Sequence, residues 1–289
     1  MKKFVITTDN MADLPDSYYE EHQIPYMFLT YTMDGVTYHK EDQLSSGEFY
    51  RRMREGSMPT TSQVNAEEAK QLWKPWLQEG YDILHIAFSS GLSGTYNSCR
   101  IAAEETAEEY SDRTVAVVDS LCASLGQGLL VDKAVRMKEE GKTMEEIAGW
   151  LEAKKKNLCH VFTVDDLFHL HRGGRVSRMT AVLGTMINIK PVLHVDDEGH
   201  LIAVGKVRGR KRSLMKLVDM MEERIRGCDE KNDRVFISHG DCLEDARFVA
   251  DLVRERFGIE DILVNPVGAT IGAHSGPGTM ALFFMGNYR

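Results

Sequence analysis

Short β-branched or apolar runs alternate with amphipathic stretches through the first half of the chain, the order produced by βαβ units around a parallel sheet. This pattern predicts strands over Phe4 to Thr8, Ile24 to Thr32, Ile83 to Phe88 and Thr114 to Val118. Helix starts are written between them. Pro15 suits a first-turn position, and Asn65-x-x-Glu68 and Thr143-x-x-Glu146 match the capping pattern, in which a polar side chain accepts from the N–H three residues on.

After about Leu158 the pattern changes. Val192 to Val195 and Leu201 to Val204 flank Asp196-Asp197-Glu198-Gly199-His200, which reads as an antiparallel hairpin with an acidic, glycine-containing turn. Val235 to Ser238 and Ile262 to Val267 are further strands around a helix from about Glu244 to Arg256, and Met280 to Met285 is a closing strand. The expected fold is α/β: a mostly parallel βαβ domain over residues 1–158 and an α+β domain over 159–289. A chain of 289 residues sits where single cores usually split. No proline-rich or glycine-serine linker marks the join.

Composition narrows the function. The formal charge of -9 sets the molecular field against nucleic acid. The five cysteines are scattered, with no Cys-x-x-Cys spacing for zinc or disulfide exchange, and read as reduced, mostly buried thiols. Lys2-Lys3 imitates the start of a signal peptide, but the apolar run after it stops at Thr7-Thr8-Asp9. No segment approaches the roughly 20 apolar residues needed to cross a bilayer. The expected location is the cytoplasm, with membrane contact at most transient.

Three polar clusters follow predicted parallel strands: Asp9-Asn10, Ser89 to Gly94, and Asp119-Ser120. Open α/β sheets bind ligands at the carboxyl ends of their strands, so the three are expected to share one crevice. In SSGLSGTY, Gly91 and Gly94 free the backbone to turn while Ser89, Ser90 and Ser93 offer hydroxyls ahead of a helix, a setting that suits a carboxylate or phosphate. Thr60-Thr61-Ser62-Gln63 repeats the theme. Near the other end, GATIGAHSGPG over residues 268–278 implies a loop of dictated path that carries His274 as a donor to an anion. His169-x-His171 has no third ligand nearby and reads as a surface feature, so no metal site is expected.

Between Arg172 and Arg212 nine cations face three acids: Arg172, Arg175, Arg178, Lys190, Lys206, Arg208, Arg210, Lys211 and Arg212 against Asp196, Asp197 and Glu198. Such a run is a solvated face, a docking surface for an acidic partner, or a phosphate cradle in which Gly173-Gly174-Arg175 brings an arginine close to the backbone. A serine hydrolase acting on acyl esters is the alternative, because Ser93, Asp119 and His274 follow the α/β-hydrolase order. Gly91-Leu92-Ser93-Gly94-Thr95 nevertheless breaks the Gly-x-Ser-x-Gly elbow at its last position, and no Walker loop, dinucleotide fingerprint or zinc signature occurs. Binding without chemistry is the simpler account.

At these residues the chain resembles the DegV family of fatty-acid-binding proteins over essentially its whole length. The landmarks occur in order: Thr8-Asp9, Thr61-Ser62-Gln63, SSGLSGTY, Asp119-Ser120, Gly173-Gly174-Arg175, Lys190-Pro191, the basic Lys206 to Arg212 segment, and GAHSGPG. Asn10 stands where the family often has Ser, and Val64-Asn65 replaces a common Pro-Ser. The resemblance implies one long-chain fatty acid between two domains, its carboxylate near Thr61, Ser62, Ser93, Gly94 and His274, and no other cofactor. It also implies a separate acyl kinase related to dihydroxyacetone kinases as partner, with Arg175 and Arg208 facing the phosphate or that partner. Burying the roughly 14 methylenes of a sixteen-carbon acid offers about 11 kcal/mol gross. An unpaired carboxylate would forfeit much of it, hence the hydroxyl loops. Of the 15 methionines, Met179, Met186, Met280 and Met285 are candidates for an adaptable tunnel wall, with core filling the reading for most.

Overall fold

The computed structural model describes residues 2–176 and 188–289. Arg178, Met179 and Met186 lie outside the described residues, so their expected roles stay with the sequence reading. The described strands, in chain order, are β1 (Phe4–Asp9), β2 (Tyr26–Met27), β3 (Tyr31–Met33), β4 (Val36–Tyr38), β5 (Thr60–Thr61), β6 (Asp82–Ala87) and β7 (Val115–Asp119). They continue as β8 (Leu158–Thr163), β9 (Ile189–Val195), β10 (Leu201–Arg208), β11 (Arg234–His239), β12 (Asp261–Pro266) and β13 (Met280–Met285).

They form three sheets. A parallel four-stranded sheet has the order β2-β1-β6-β7, and a six-stranded mixed sheet has the order β10-β9-β8-β13-β11-β12. A small antiparallel sheet, β4-β3-β5, stands apart. Every residue of β1, β6, β8 and β13 is buried, as expected of strands covered on both faces. The largest core cluster draws on both large sheets, with Ile6 and Leu84 from one and Phe162, Phe236 and Phe283 from the other.

Helix starts follow their local chemistry. Asn65 and Glu68, and Thr143 and Glu146, each close a reciprocal capping box at the heads of helices Ala66–Gln78 and Met144–Lys154. In the first of these, Ala69, Trp73 and Leu77 recur every four residues and form the buried stripe. Helix Leu243–Phe257 ends on Gly258 in the left-handed region. The expected hairpin is present, with Val195 opposite Leu201. Cys99, Cys122 and Cys159 are buried, Cys228 and Cys242 are half-buried, and all five are free thiols.

Two expectations fail. Ile24 to Thr32 is not one strand, because the Leu29 N–H donates to Asn10 Oδ1 (2.8 Å) and the Leu29 carbonyl accepts from Thr270 Oγ1 (2.9 Å). With its backbone groups taken by side chains, Leu29 leaves the ladder, and the chain passes from β2 in one sheet to β3 in another. The stretch read as a loop around His274 contains a short helix, Ala269–Ser275. Its glycines break the chain after the helix, where Gly276 and Gly278 have φ of 78°.

Candidate functional site

The carboxyl ends of β1, β6 and β7 meet, and the three polar clusters meet with them. Asp9 Oδ2 accepts from the Phe88 N–H (2.9 Å), and its Oδ1 accepts from Met11 N–H and Gln127 Nε2 (3.1 Å each). Asp119 Oδ1 accepts from the N–H groups of Ser90 and Leu121 (3.1 Å each). Both carboxylates therefore brace the loop after β6 from behind and do not line the crevice. Burial raises the Asp9 carboxyl to about 6, against three hydrogen bonds that lower it.

The braced loop has one face toward the hairpin and one toward a cavity. Ser89 Oγ donates to the Gly199 carbonyl (2.9 Å), while Gly91 lies against the backbone of Glu198 and Gly199, so tightly that a β-carbon on either Gly91 or Gly199 would collide. The acidic turn of the β9-β10 hairpin is thereby locked onto SSGLSG. Ser93 faces the cavity. Its Oγ accepts from the Thr95 N–H (3.2 Å) and shares a 3.0 Å contact with Thr95 Oγ1, at the head of helix Thr95–Glu109.

That cavity encloses about 300 Å³, at the small end of ligand pockets. Thr61, Ser62, Ser93, Gly94, Arg175 and His274 all line it, so five separately predicted carboxylate contacts and one predicted arginine converge. Much of the remaining wall is apolar, including Met11, Leu29, Phe88, Leu92, Phe162 and Phe283. In β13 the alternating residues Ala281 and Phe283 face it; Met285, on the same face, lies beyond the cavity in the core, and Met280 packs into the core on the opposite face.

His274 and Thr61 close the polar end: His274 Nε2 and Thr61 Oγ1 share a 2.8 Å hydrogen bond. Burial first, then the guanidinium charges of Arg175 and Arg172, push His274 down to about 4, so the ring is neutral at pH 7. The neighbouring glycine motif has a concrete task. His274 packs directly on Gly173, and His169 packs directly on Gly276, in each case where a β-carbon would collide. The expected surface role for His169-x-His171 is thus corrected, since His169 is a wedge between two loops and only Phe168 beside it is widely exposed.

The basic run resolves into separate uses. Arg175 donates through Nε and Nη2 to the Leu92 carbonyl (3.2 and 3.1 Å) and through Nη1 to the Gly173 carbonyl. Arg172 Nη2 donates to the carbonyls of Pro59 (2.8 Å) and Ala273 (3.1 Å). Lys190 pairs with Asp165, and Arg210 with Asp245. Arg208 stands exposed at the end of β10, outside the cavity. Sequence reasoning missed Arg289, which is buried and donates to the carbonyls of Leu121 (2.8 Å), Asp196 (2.8 Å) and Lys155 (2.7 Å).

The hydrolase triad is not assembled. Asp119 is engaged by backbone N–H groups, His274 Nε2 by Thr61, and Ser93 by Thr95. Among the described residues, no hydrogen bond joins His274 to either Ser93 or Asp119.

Comparison with known proteins agrees with this architecture. A DegV domain-containing protein of Clostridium perfringens is 46% identical over 289 residues, covering 99% of each chain. The crystal structure of a DegV lipid-binding protein of Thermotoga maritima superposes with a TM-score of 0.84 at 32% identity, covering 99% of each chain. A hypothetical protein of Thermotoga maritima whose structure reveals a fatty acid binding function gives 0.84 at 31% identity, covering 99% of this chain and 100% of its own. The model of the family described as "Uncharacterised protein, DegV family" matches residues 3–287, and with that span the chain belongs to the DegV family.

Proposed function

We propose that the cavity holds one long-chain fatty acid, its carboxylate against Thr61, Ser62, Ser93, the Gly94 N–H and His274, its tail along the apolar wall toward Phe162 and Phe283. The observation that carries this reading is a single cavity whose lining joins the hydroxyl, amide and imidazole groups of Thr61, Ser62, Ser93, Gly94 and His274 to a mainly apolar wall. A carboxylate brought out of water needs such donors. A neutral imidazole can donate one without adding a second buried charge. Relatives whose structures bind lipid and fatty acid support the same ligand class.

In this reading the protein is a carrier without chemistry of its own. Residues 1–158 supply the hydroxyl loops, and 159–289 supply His274, Arg175 and much of the acyl wall. The carboxyl group is offered to a separate acyl kinase resembling dihydroxyacetone kinases, with Arg175 beside the head group and Arg208 on the outer surface toward the partner. The carrier acts in the cytoplasm. Among the described residues, no helix is long and apolar enough to cross a membrane.

The test is direct. The purified protein is extracted with organic solvent under denaturing conditions and the extract is analysed by mass spectrometry, after which delipidated protein is titrated with palmitic acid. A stoichiometric acid in the extract, or saturable binding on titration, is expected. The absence of both would overturn the proposal.

A further inference from the structure

Part-way down the apolar wall stands a chain of hydrogen-bonding groups that a plain hydrocarbon tail does not use. Ser124 and Ser238 both line the cavity. Ser124 Oγ donates to Asp13 Oδ2 (2.5 Å) and lies 2.9 Å from Ser238 Oγ, and Asp13 Oδ1 accepts from the Gly268 N–H (3.0 Å). Each hydroxyl has one proton and two lone pairs. With the Ser124 proton on the carboxylate, the Ser238 proton goes to Ser124. No other donor reaches Ser238 Oγ among the described residues, so it keeps acceptor capacity beside the cavity that both serines line.

Ser124 holds its place against backbone strain. Its φ of 54° and ψ of -146° fall where glycine is nearly the only comfortable residue, and as the residue before helix Leu125–Glu139 it makes no side-chain capping bond. Glycine would adopt this conformation freely and lose only the hydroxyl. A strained serine that keeps its hydroxyl on a ligand wall, relayed to a buried carboxylate, is a polar station. Such a relay strengthens each member as an acceptor.

Strand register fixes its depth. Ser238 is opposite Ala281, which is opposite Phe162, two pairs short of the Phe283 and His160 pair further along β13. Thr279, which also lines the cavity, lies on the other side, between β13 and the helix that carries His274. At about 3.4 Å per residue the station is roughly 7 Å past Thr279 along the wall, on the side away from the helix that carries His274.

We propose that Ser238 and Ser124 form a subsite for an oxygen substituent on the acyl chain, and that the favoured ligands are long-chain acids carrying a hydroxyl group part-way along the tail. This rests on the fatty-acid reading above. The ligand hydroxyl donates to Ser238 Oγ, completing the relay to Asp13.

Delipidated protein is titrated with stearic acid and with its 2-hydroxy, 10-hydroxy and 12-hydroxy derivatives. A mid-chain hydroxy acid is expected to bind about 5-fold tighter than stearic acid, the worth of one added hydrogen bond, and the 2-hydroxy acid, whose substituent stays at the head, is expected to gain nothing. Ser238→Ala should bring the hydroxy acid back to the affinity of stearic acid. Ser124→Gly, which relieves strain and so should fold, should do the same. Binding of stearic acid without any mid-chain preference, or a preference that survives both substitutions, would overturn the subsite alone. Failure of every acid to bind would instead sink the fatty-acid reading, and the subsite with it.

Discussion

The His274 ring rests on the bare α-carbon of Gly173, in the space a β-carbon would fill, and from there reaches Thr61. Three segments far apart in sequence are set by this one contact. The reciprocal seating of His169 on Gly276 fixes the same two loops from the other side, so neither loop can shift without moving the polar end of the cavity.

Gly173→Ala should therefore act on both stability and binding. Forcing a methyl group under the imidazole is an overpacking change, worth about 1–3 kcal/mol. It also pushes His274 away from Thr61. Urea unfolding should show the lower midpoint, and palmitic acid titration should show weaker binding. Unaltered affinity in a folded variant would mean that His274 does not contact the ligand.

Ser93→Ala separates the two roles in the opposite way. Ser93 helps order the head of helix Thr95–Glu109 only through contacts with Thr95, so the fold should persist. Loss of a hydrogen bond to a carboxylate costs about 1.5–3 kcal/mol, and fatty-acid affinity should fall by about 10-fold or more. Circular dichroism checks the fold and calorimetric titration the affinity. Equal affinity would remove Ser93 from the site.

The parts of this fold that were legible in the sequence are those with local causes. β1, β6, β7 and β13, and both capping boxes, depend on residues within a few positions of one another. The hydroxyl loops and His274 were legible as candidates because glycine and serine are used there beyond what turns require. What stayed hidden has distant causes. The break at Leu29 is imposed by Asn10 and Thr270. The apparent cation patch thins because Arg172, Lys190 and Arg210 are spent on carbonyls and carboxylates brought in by folding, which leaves Lys206, Arg208, Lys211 and Arg212 exposed. Ser124 gives no sequence signal at all, since its strain exists only in the folded backbone.

Arg289 is the clearest of the hidden residues, and its removal is a sharp test of how the hairpin is held. Its guanidinium joins the loop after β7, at Leu121, to Lys155 and to Asp196 at the start of the hairpin turn. Hydrogen bonds from a charged donor are the stronger kind, so Arg289→Ala should cost about 3 kcal/mol. Hydrogen exchange should quicken first in the turn over residues 196–200. Uniform loss of protection across the protein would show that the latch is global and not local to the hairpin.

Asp13 gives the last prediction, because its protonation opposes that of the buried histidines. Burial, the largest influence, raises the Asp13 carboxyl to about 7, while Ser124 and Gly268 pull it down and the charge of Asp9 adds to the rise. A carboxyl that keeps its proton longer in the folded than in the unfolded chain favours folding most at low pH. Its contribution is present below about 4, where both states are protonated, and is lost as pH rises to about 7. His274, lowered to about 4, and His85, lowered by burial to about 3, have the reverse sign. Their contribution is present above about 6.5 and is lost as pH falls. Total stability therefore blends two slopes, and Asp13→Asn separates them, since an amide can still accept from Gly268 and contact Ser124. Urea unfolding of both proteins from pH 4 to 8 should show wild type losing stability relative to the variant as pH climbs toward 7, with a constant difference beyond. A constant difference over the whole range would mean that Asp13 titrates in the folded protein like an ordinary carboxylate, and that the relay through Ser124 ends on a permanent charge.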